Sequence, residues 1–264
     1  MKGDRQKKNC IFLTRPRKEC IEALRVLVGG GTNVLACVGK ENENDILDEY
    51  CKQENIKCYT EKEMYQVFEK IEFKYETLLI SYLFPHLIKK EILTQKNILP
   101  INFHPAPLPK YRGCACSFFF LFESEEQEKE YAVTAHYINE KFDEGDIIKI
   151  KKFKFQNNTG RYVNNLVHKK LLELLEEVMR EYYENGLKTI KQDNTKANYY
   201  SLKRLEDIKK ITKNDNLNTI NKKIEAFWFP PYHGAYLDIC GERFTLVNEN
   251  LLKEISDIYD KILD

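Results

Sequence analysis

Short apolar runs alternate with amphipathic runs along the first hundred residues, and this alternation limits the fold more than any other feature. The runs typical of strands are residues 10–14, 33–38, 56–59, 77–82 and 98–104, and the runs typical of helices are 16–28, 45–55, 62–70 and 87–95. Strands that alternate with helices form a parallel sheet covered on both faces. The pattern therefore predicts an α/β, doubly wound, mainly parallel sheet.

The rest of the chain predicts two more strands, a long helix and a smaller second unit. The strands are residues 131–138 and 147–155, and an amphipathic helix over 160–185 ends at Gly186. Near residue 190 the composition becomes polar and turn-rich. We therefore predict domains 1–190 and 191–264, the second a small α+β unit with helices near 205–211 and 218–227 and a β-hairpin at Gly241.

Charge and hydropathy narrow the function classes. The 264 residues carry a net charge of +1, which argues against a strongly basic nucleic-acid binder, so no nucleic-acid partner is expected. No apolar run reaches the roughly 18 residues of a membrane span, and the start of the sequence has no apolar targeting segment. We expect a cytoplasmic protein with no membrane partner.

Eight scattered cysteines lack the paired spacing of a small disulfide scaffold or of a complete zinc motif. We expect them to be reduced thiols that mostly pack, with metal ligation or a redox role as the minority alternative. The run Gly29–Gly31 follows a helical segment, so it indicates a helix end and not a dinucleotide-binding loop.

The end of the fifth predicted strand carries two polar side chains. In an alternating strand Asn102 and His104 point to the same side, and a proline-rich loop comes next. Ligands of doubly wound sheets bind beyond the carboxyl ends of the strands. Asp143 lies further along the chain, in a turn closed by Gly145. A carboxylate beside an imidazole fixes the tautomer of the imidazole and stabilises the protonated imidazole.

The segments NFHPAPLPKYRG and AVTAHYINEKFDEGDII, in this order and spacing, resemble the 10-formyltetrahydrofolate-dependent formyltransferase family. That family combines an Asn-x-His strand, a Leu-Pro-x-Tyr-Arg-Gly loop and an Asp-x-Gly-Asp-Ile turn. The resemblance implies a Rossmann-like formyltransferase fold, 10-formyltetrahydrofolate as cofactor, and Asn102, His104 and Asp143 as catalytic residues. It favours Asp143 over the competing Asp146.

These residue types suit formyl transfer to an amine. The Asn102 amide can donate a hydrogen bond to the oxyanion that forms when the amine attacks, worth roughly 3 to 4 kcal/mol when such donors are preorganised. His104 either accepts the proton of the amine or, when protonated, stabilises the oxyanion, and the sequence leaves both roles open. Asp143 orients His104 and raises its basicity. No metal is required.

Chain length and the second unit bear on the acceptor. The chain most resembles the sugar-nucleotide N-formyltransferases, in which a compact C-terminal part follows the catalytic domain. This branch implies a dTDP-linked 3- or 4-amino-dideoxyhexose as the small-molecule acceptor, for formylated surface glycans, and a homodimer. The alternatives are a methionyl-tRNA formyltransferase, a related formyl hydrolase, and a folate-binding protein without turnover.

Two sets of contacts are expected around the catalytic residues. The folate should lie along the loop after the fourth strand, against Tyr82, Leu83, Phe84, Pro85 and Leu87. The candidates for the acceptor are Lys89, Lys110 and Arg112 for the diphosphate and Tyr232, which follows a diproline bend, for stacking on the base. Each has a competing structural or surface role. His86, His136, His168 and His233 are expected to be structural or surface residues.

Overall fold

The computed structural model describes residues 8–125, 129–253 and 255–256. The strands are β1 (Asn9–Leu13), β2 (Asn33–Lys40), β3 (Cys58–Thr60), β4 (Thr77–Tyr82), β5 (Ile98–His104), β6 (Arg112–Gly113), β7 (Glu130–Tyr137), β8 (Ile147–Lys154), β9 (Tyr199–Tyr200), β10 (Tyr236–Ile239) and β11 (Glu242–Thr245). The helices are α1 (Lys18–Gly29), α2 (Ile46–Gln53), α3 (Met64–Lys70), α4 (Lys90–Leu93), α5 (Cys116–Glu123), α6 (Gly160–Glu184), α7 (Leu202–Lys209) and α8 (Leu217–Ala226).

Seven strands form the main sheet in the order β3-β2-β1-β4-β5-β7-β8. The pairs from β3 to β5 are parallel, and β7 and β8 add two antiparallel strands at the other side. All six residues of β4 are buried, as expected for a central strand covered on both faces. The predicted doubly wound, mainly parallel α/β sheet is confirmed.

Helices cover both faces of the sheet and bury two apolar layers. The larger layer lies under α1, α2, α5 and α6, and the smaller lies under α3 and α4. The long helix α6 buries one stripe completely, formed by Val163, Val167, Leu171, Leu174, Leu175 and Val178. Their spacing follows the helical repeat, so the apolar pattern alone orients α6 toward β7 and β8.

One predicted helix is much shorter than expected. The structure begins it at Lys90 and ends it at Leu93, in place of residues 87–95. Ile92 is the only residue of this short helix that is buried. Ile88 and Ile92 pack into the smaller apolar layer, whereas Leu87 is 42% exposed and adds nothing to the predicted stripe. The predicted hairpin at Gly241 is present as the antiparallel pair β10–β11. Cys240 and Gly241 have φ of 52° and 85° there, as a two-residue hairpin loop requires.

The C-terminal part has a small apolar cluster of its own, formed by Ile211, Ile224, Ala235 and Leu251. It also contributes to the main core, where Phe227 is almost completely buried. The segment after residue 190 first returns to the main body, because β9 pairs with β6. The domain division at residue 190 therefore stays a prediction. Within the described part of the chain, no helix combines the length and apolar character needed to cross a membrane.

Candidate active site

The site begins with the antiparallel pairing of β5 and β7. In this register Asn102 lies opposite His136, and His104 lies opposite Thr134. Residues opposite each other across two strands present their side chains on the same face. Asn102 Nδ2 accordingly lies 3.0 Å from His136 Nε2.

A tight turn after β7 brings Asp143 over the end of β5. Gly145 lies against the strand so closely that a Cβ there would be 1.7 Å from the Tyr137 carbonyl oxygen. The Tyr137 N–H donates to the Asp146 carbonyl at 2.9 Å and closes the turn. Asp143 itself has φ of 55°, a left-handed conformation that costs energy for a residue other than glycine. This conformation directs the carboxylate toward Asn102 and His104.

Both oxygens of the Asp143 carboxylate are engaged. Oδ2 accepts the Gly113 backbone N–H at 2.8 Å. Oδ1 lies 3.3 Å from Asn102 Nδ2, 3.5 Å from His104 Nδ1 and 3.4 Å from His136 Nε2. The structure therefore brings the three predicted catalytic residues together around one oxygen atom.

Main-chain carbonyls fix the tautomers of the two imidazoles. His104 Nε2 lies 2.8 Å from the Tyr111 carbonyl oxygen, and His136 Nδ1 lies 2.8 Å from the Tyr137 carbonyl oxygen. A carbonyl oxygen only accepts, so each of these ring nitrogens carries the proton. In its neutral form His104 therefore turns an unprotonated Nδ1 toward the Asp143 side of the site.

Burial and charge set the ionisation of the site. Burial lowers the pKa of His104 below its usual value, although Asp143 acts in the opposite direction. Burial alone would raise the pKa of Asp143, but the two imidazoles and the Gly113 N–H hold it below its usual value. At neutral pH the pair is a neutral imidazole beside an ionised carboxylate, which is an arrangement that can accept a proton.

Three further residues belong to the site. His136 is buried, as the sequence predicted, but its contacts with Asn102 and Asp143 make it part of the cluster. Gly113 supplies the N–H to Asp143. Gln192 Nε2 donates to the carbonyls of Asp143 and Gly145 at 2.8 and 2.7 Å and so fixes the turn. The position of His136 on the alternating strand before the turn could have indicated its role, whereas nothing local marks Gln192.

The predicted folate-binding residues divide into two groups. The Tyr82 ring is fully buried next to Phe12 and Phe103, so the prediction that it lines a pocket wall is wrong for its side chain. Leu83 is also buried, with φ of 56°, which turns the chain sharply at the end of β4. The remaining three are accessible, since they are half-buried or exposed: Phe84, Pro85 and Leu87.

A cavity lies at the carboxyl ends of the parallel strands, beside the accessible part of this loop. Its volume is about 360 Å³, and its lining includes Thr14 and Arg15 after β1, Gly39 in β2 and both Phe84 and Pro85 after β4. This is the edge of a doubly wound sheet at which ligands bind. The rest of the lining is largely charged and includes Lys40, Glu41, Glu61 and Lys62.

The predicted acceptor-binding residues lie in different surroundings. Arg112 is 5% exposed, and its guanidinium contacts Gln192, Asn194 and Glu144 at 2.6 to 3.2 Å. These contacts engage Nη1 and Nη2 in holding the segment after residue 190. The buried Nε has no hydrogen-bond partner among the described residues, so the diphosphate contact of Arg112 stays a prediction. Lys89 and Lys110 are exposed, with Nζ 4.6 Å from the Tyr65 ring centre and 5.4 Å from the Tyr111 ring centre.

Tyr232 has the geometry of a stacking platform. It is 59% exposed, and its ring lies parallel to that of Phe229, with an interplanar angle of 3° and centres 5.6 Å apart. Phe229 in turn contacts Phe118 of α5 edge-on. The inner face of Tyr232 is therefore supported by the main body, and its outer side is accessible.

Arg15 is a further candidate that the sequence did not single out. It is half-buried after β1, and its Nε has no hydrogen-bond partner among the described residues. Burial and the neighbouring Arg17 lower its pKa, and Cys114 and Tyr232 are also close enough to act on it. A buried guanidinium nitrogen without a partner marks a position where an anionic ligand is favoured.

Comparison with known proteins identifies a family. The family model described as Formyl transferase matches residues 8–179. The methionyl-tRNA formyltransferase of Mycoplasmopsis pulmonis is 26% identical over 198 residues, which are 72% of this chain and 64% of that protein. The chain thus matches less than two thirds of this curated relative.

Solved structures match over a larger share of both chains. A 4-N formyltransferase from Francisella tularensis is 21% identical with a TM-score of 0.73, over 92% of this chain and 97% of that one. An N-formyltransferase from Helicobacter canadensis, in complex with folinic acid and dTDP-3-aminofucose, is 23% identical with a TM-score of 0.71, over 89% and 85%. At these identities the likeness concerns the fold.

Proposed function

The chain belongs to the formyl transferase family, and from this premise we propose that it transfers a formyl group from 10-formyltetrahydrofolate to the primary amine of a nucleotide-linked amino-dideoxy sugar. One observation carries the proposal. Asn102, His104 and Asp143 converge within 3.5 Å of a single carboxylate oxygen. A neutral imidazole, an ionised carboxylate and an amide meet there, and formyl transfer to an amine uses all three.

His104 is the general base of the proposed reaction. The attacking amine forms a bond to the formyl carbon and must lose a proton. The unprotonated Nδ1 of His104 accepts it, because Nε2–H is bound to the Tyr111 carbonyl. Asp143 then stabilises the imidazolium, whose Nδ1 lies 3.5 Å from Oδ1. When the bond between the formyl carbon and the folate nitrogen breaks, His104 passes this proton to the folate nitrogen.

Asn102 supplies the hydrogen bond to the formyl oxygen as that oxygen gains charge. Both of its amide hydrogens already have acceptors. Asn102 Nδ2 lies 3.0 Å from His136 Nε2 and 3.3 Å from Asp143 Oδ1. The formyl oxygen replaces Asp143 as the acceptor of the longer of these two hydrogen bonds. His136 keeps the other hydrogen bond, and its own Nδ1–H is fixed by the Tyr137 carbonyl, so the amide stays oriented throughout.

The loop after β4 fits the folate. When bound, 10-formyltetrahydrofolate supplies the formyl group that is transferred. Phe84, Pro85 and Leu87 expose apolar surface beside the cavity at the strand ends, which suits the flat ring system of a pterin. Folate contacts therefore involve these three side chains and the main chain of the loop.

Arg15 and Tyr232 are the proposed contacts of the acceptor. The exposed side of Tyr232 stacks on the nucleobase, and the unpartnered guanidinium nitrogen of Arg15 binds the diphosphate. Cys114 neighbours Arg15 and adjoins Gly113, which donates to Asp143. A nucleotide on Tyr232 and Arg15 thus extends its sugar toward the catalytic cluster.

The match in architecture supports a sugar nucleotide over a tRNA. The structural alignments cover 97% of the Francisella chain and 85% of the Helicobacter chain, whereas the sequence alignment covers 64% of the methionyl-tRNA formyltransferase. The net charge of +1 also gives no electrostatic footprint for tRNA. The acceptor class is named in the Helicobacter complex, and here it is part of the proposal.

An acceptor panel tests the function. The purified chain is mixed with 10-formyltetrahydrofolate and, in separate reactions, dTDP- and UDP-linked 3-amino and 4-amino sugars or initiator methionyl-tRNA. We expect mass spectrometry to find a formylated amino sugar. Transfer to methionyl-tRNA alone, or release of formate without an acceptor, contradicts the proposal and identifies the tRNA enzyme or the hydrolase.

A pair of variants tests the acceptor site. Loss of base stacking costs about 1 to 3 kcal/mol, so Tyr232→Ala should raise the KM of the sugar nucleotide about 5- to 150-fold with little change in kcat. Tyr75→Ala is the matched control, because Tyr75 is 66% exposed elsewhere on the surface. Equal KM values for the two variants contradict the stacking role.

A homodimer is the proposed assembly. The hairpin β10–β11 leaves Ile239 and Phe244 each 52% exposed, and Leu237 pairs with Phe244 on the same face. An apolar face of this kind favours contact with a second copy. Light scattering should give twice the chain mass, and Phe244→Glu should halve it. A wild-type monomer across the working concentration range contradicts the assembly.

A further inference from the structure

A second cluster of reactive side chains lies at the far edge of the main sheet, away from the residues of the proposed reaction. The thiols of Cys37, Cys51 and Cys58 come so close that their three sulfur atoms all lie within 4.8 Å of one another. The other five cysteines of the chain are not part of this cluster.

The βαβ unit at the sheet edge builds the cluster from three elements. Cys37 on β2 and Cys58 on β3 are direct partners in the parallel pairing, and Cys51 lies on α2, which connects the two strands. Main-chain hydrogen bonds hold two of these positions. The Cys37 N–H donates to the Lys57 carbonyl at 2.9 Å, and the Ile56 N–H donates to the Cys51 carbonyl at 2.8 Å.

Burial gives the cluster a closed side and an open side. Cys37 and Cys51 are completely buried, whereas Cys58 is only half-buried. Three sulfurs bound to one zinc ion at about 2.3 Å lie about 3.8 Å apart in a tetrahedron, so the observed separations need only small side-chain rotations. Because Cys58 is only half-buried, water can reach this side of the cluster and fill a fourth coordination position.

We propose that Cys37, Cys51 and Cys58 form a three-thiolate binding site for a thiophilic d10 metal ion, with zinc as the ion to be tested first. Thiolates are the ligands that select such ions over magnesium or calcium. Each thiol that coordinates releases its proton to solvent, so binding liberates up to three protons and involves no change of oxidation state.

The ion would stabilise a short strand at the edge of the sheet. Strand β3 has three residues and pairs with β2 alone at the edge of the sheet. A metal bound by β2, α2 and β3 joins all three elements of the edge unit. The effect is structural, so it adds stability without a role in formyl transfer.

Metal titration of the full, reduced chain is the test. We expect one equivalent of Zn²⁺ by equilibrium dialysis, and one equivalent of Cd²⁺ with ultraviolet thiolate-to-cadmium charge-transfer absorption. Replacing one ligand, as in Cys58→Ser or Cys37→Ser, should weaken binding at least about 100-fold, since loss of an outer-shell partner alone costs up to that much. Cys10→Ser is the matched buried control on β1, and Cys240→Ser is the exposed control.

A second measurement needs no variant and remains decisive if a serine variant fails to fold. In the wild-type chain, zinc should slow alkylation of Cys58 while Cys240 in the same molecule reacts as before. Zinc should also raise Tm, because an ion that binds only the folded chain stabilises it. Substoichiometric binding, binding unchanged in Cys58→Ser, or unaltered alkylation of Cys58 overturns the proposal.

Discussion

Asp143→Asn is the substitution that most directly perturbs the catalytic cluster. The carboxylate accepts the Gly113 N–H with Oδ2 and faces Asn102 and two imidazoles with Oδ1. Asparagine presents an NH2 group to one of these two sides. It therefore meets either the Gly113 N–H or the Asn102 amide, and two donors then face each other inside the protein.

The magnitude follows from this conflict and from the lost charge. An unsatisfied buried donor costs about 1 to 3 kcal/mol, and each kcal/mol lowers Tm by about 2 to 4 °C in a domain of this size. The loss in rate should be larger than the loss in stability. No carboxylate then stabilises the protonated imidazole of His104. We therefore expect kcat to fall by about 10²- to 10⁴-fold, the usual contribution of acid–base catalysis.

The assay is formylation of the sugar nucleotide at saturating substrate, with Tm measured on the same samples. Asp146→Asn is the control, because Asp146 lies in the same turn and contributes its main-chain carbonyl to the Tyr137 N–H, which the substitution leaves intact. Activity of Asp143→Asn near that of the wild type, or an equal loss in Asp146→Asn, would refute the assigned role of Asp143.

Three further predictions concern His104, Gly113 and α6. Because burial lowers the pKa of His104, kcat/KM should stay level as pH falls through about 6.5, the ordinary histidine value, and decline only below it; a decline already centred at 6.5 contradicts this. The unfolded chain takes up that proton more readily, so the free energy of unfolding, from denaturant titrations, should also decrease below about pH 6.5. Gly113→Ala should destabilise by about 1 to 3 kcal/mol and reduce kcat, since φ is +94° and a Cβ would lie 2.1 Å from the Tyr200 carbonyl; wild-type stability would show that the loop yields freely. Leu174→Ala should cost about 2 to 5 kcal/mol in urea unfolding yet leave kcat per folded molecule unchanged, so a specific loss of kcat would contradict a purely structural role for the α6 stripe.

Local sequence information predicted the fold because parallel strands covered on both faces need continuous apolar runs. The run in β4 is such a case, with all six residues buried. The helix Lys90–Leu93 is shorter than predicted. The sequence shows apolar spacing over 87–95, but it does not show that Leu87 is largely exposed while Ile88 and Ile92 are buried.

The three proposed catalytic residues could be identified in the sequence because two motifs contain them, whereas the residues that hold them in place make contacts distant in sequence. Gln192 reaches the Asp143 turn across 49 positions, and no pattern around it indicates this. Arg112 is held in the same way, because Gln192 and Asn194, 80 and 82 positions later, accept hydrogen bonds from its Nη2. Tyr82 is the last residue of β4, where ligands were expected to bind. Its ring is buried by contacts with neighbouring strands, which the local sequence does not show.

The most direct test of the central claim follows the formyl carbon itself. A formyl donor labelled with ¹³C is given to the wild-type chain in one tube with a dTDP-linked amino sugar, initiator methionyl-tRNA and water, and NMR identifies where the label goes. We expect a labelled formamide on the sugar amine, lost in Asp143→Asn and retained in Asp146→Asn. Label found only on methionyl-tRNA or in free formate would contradict it.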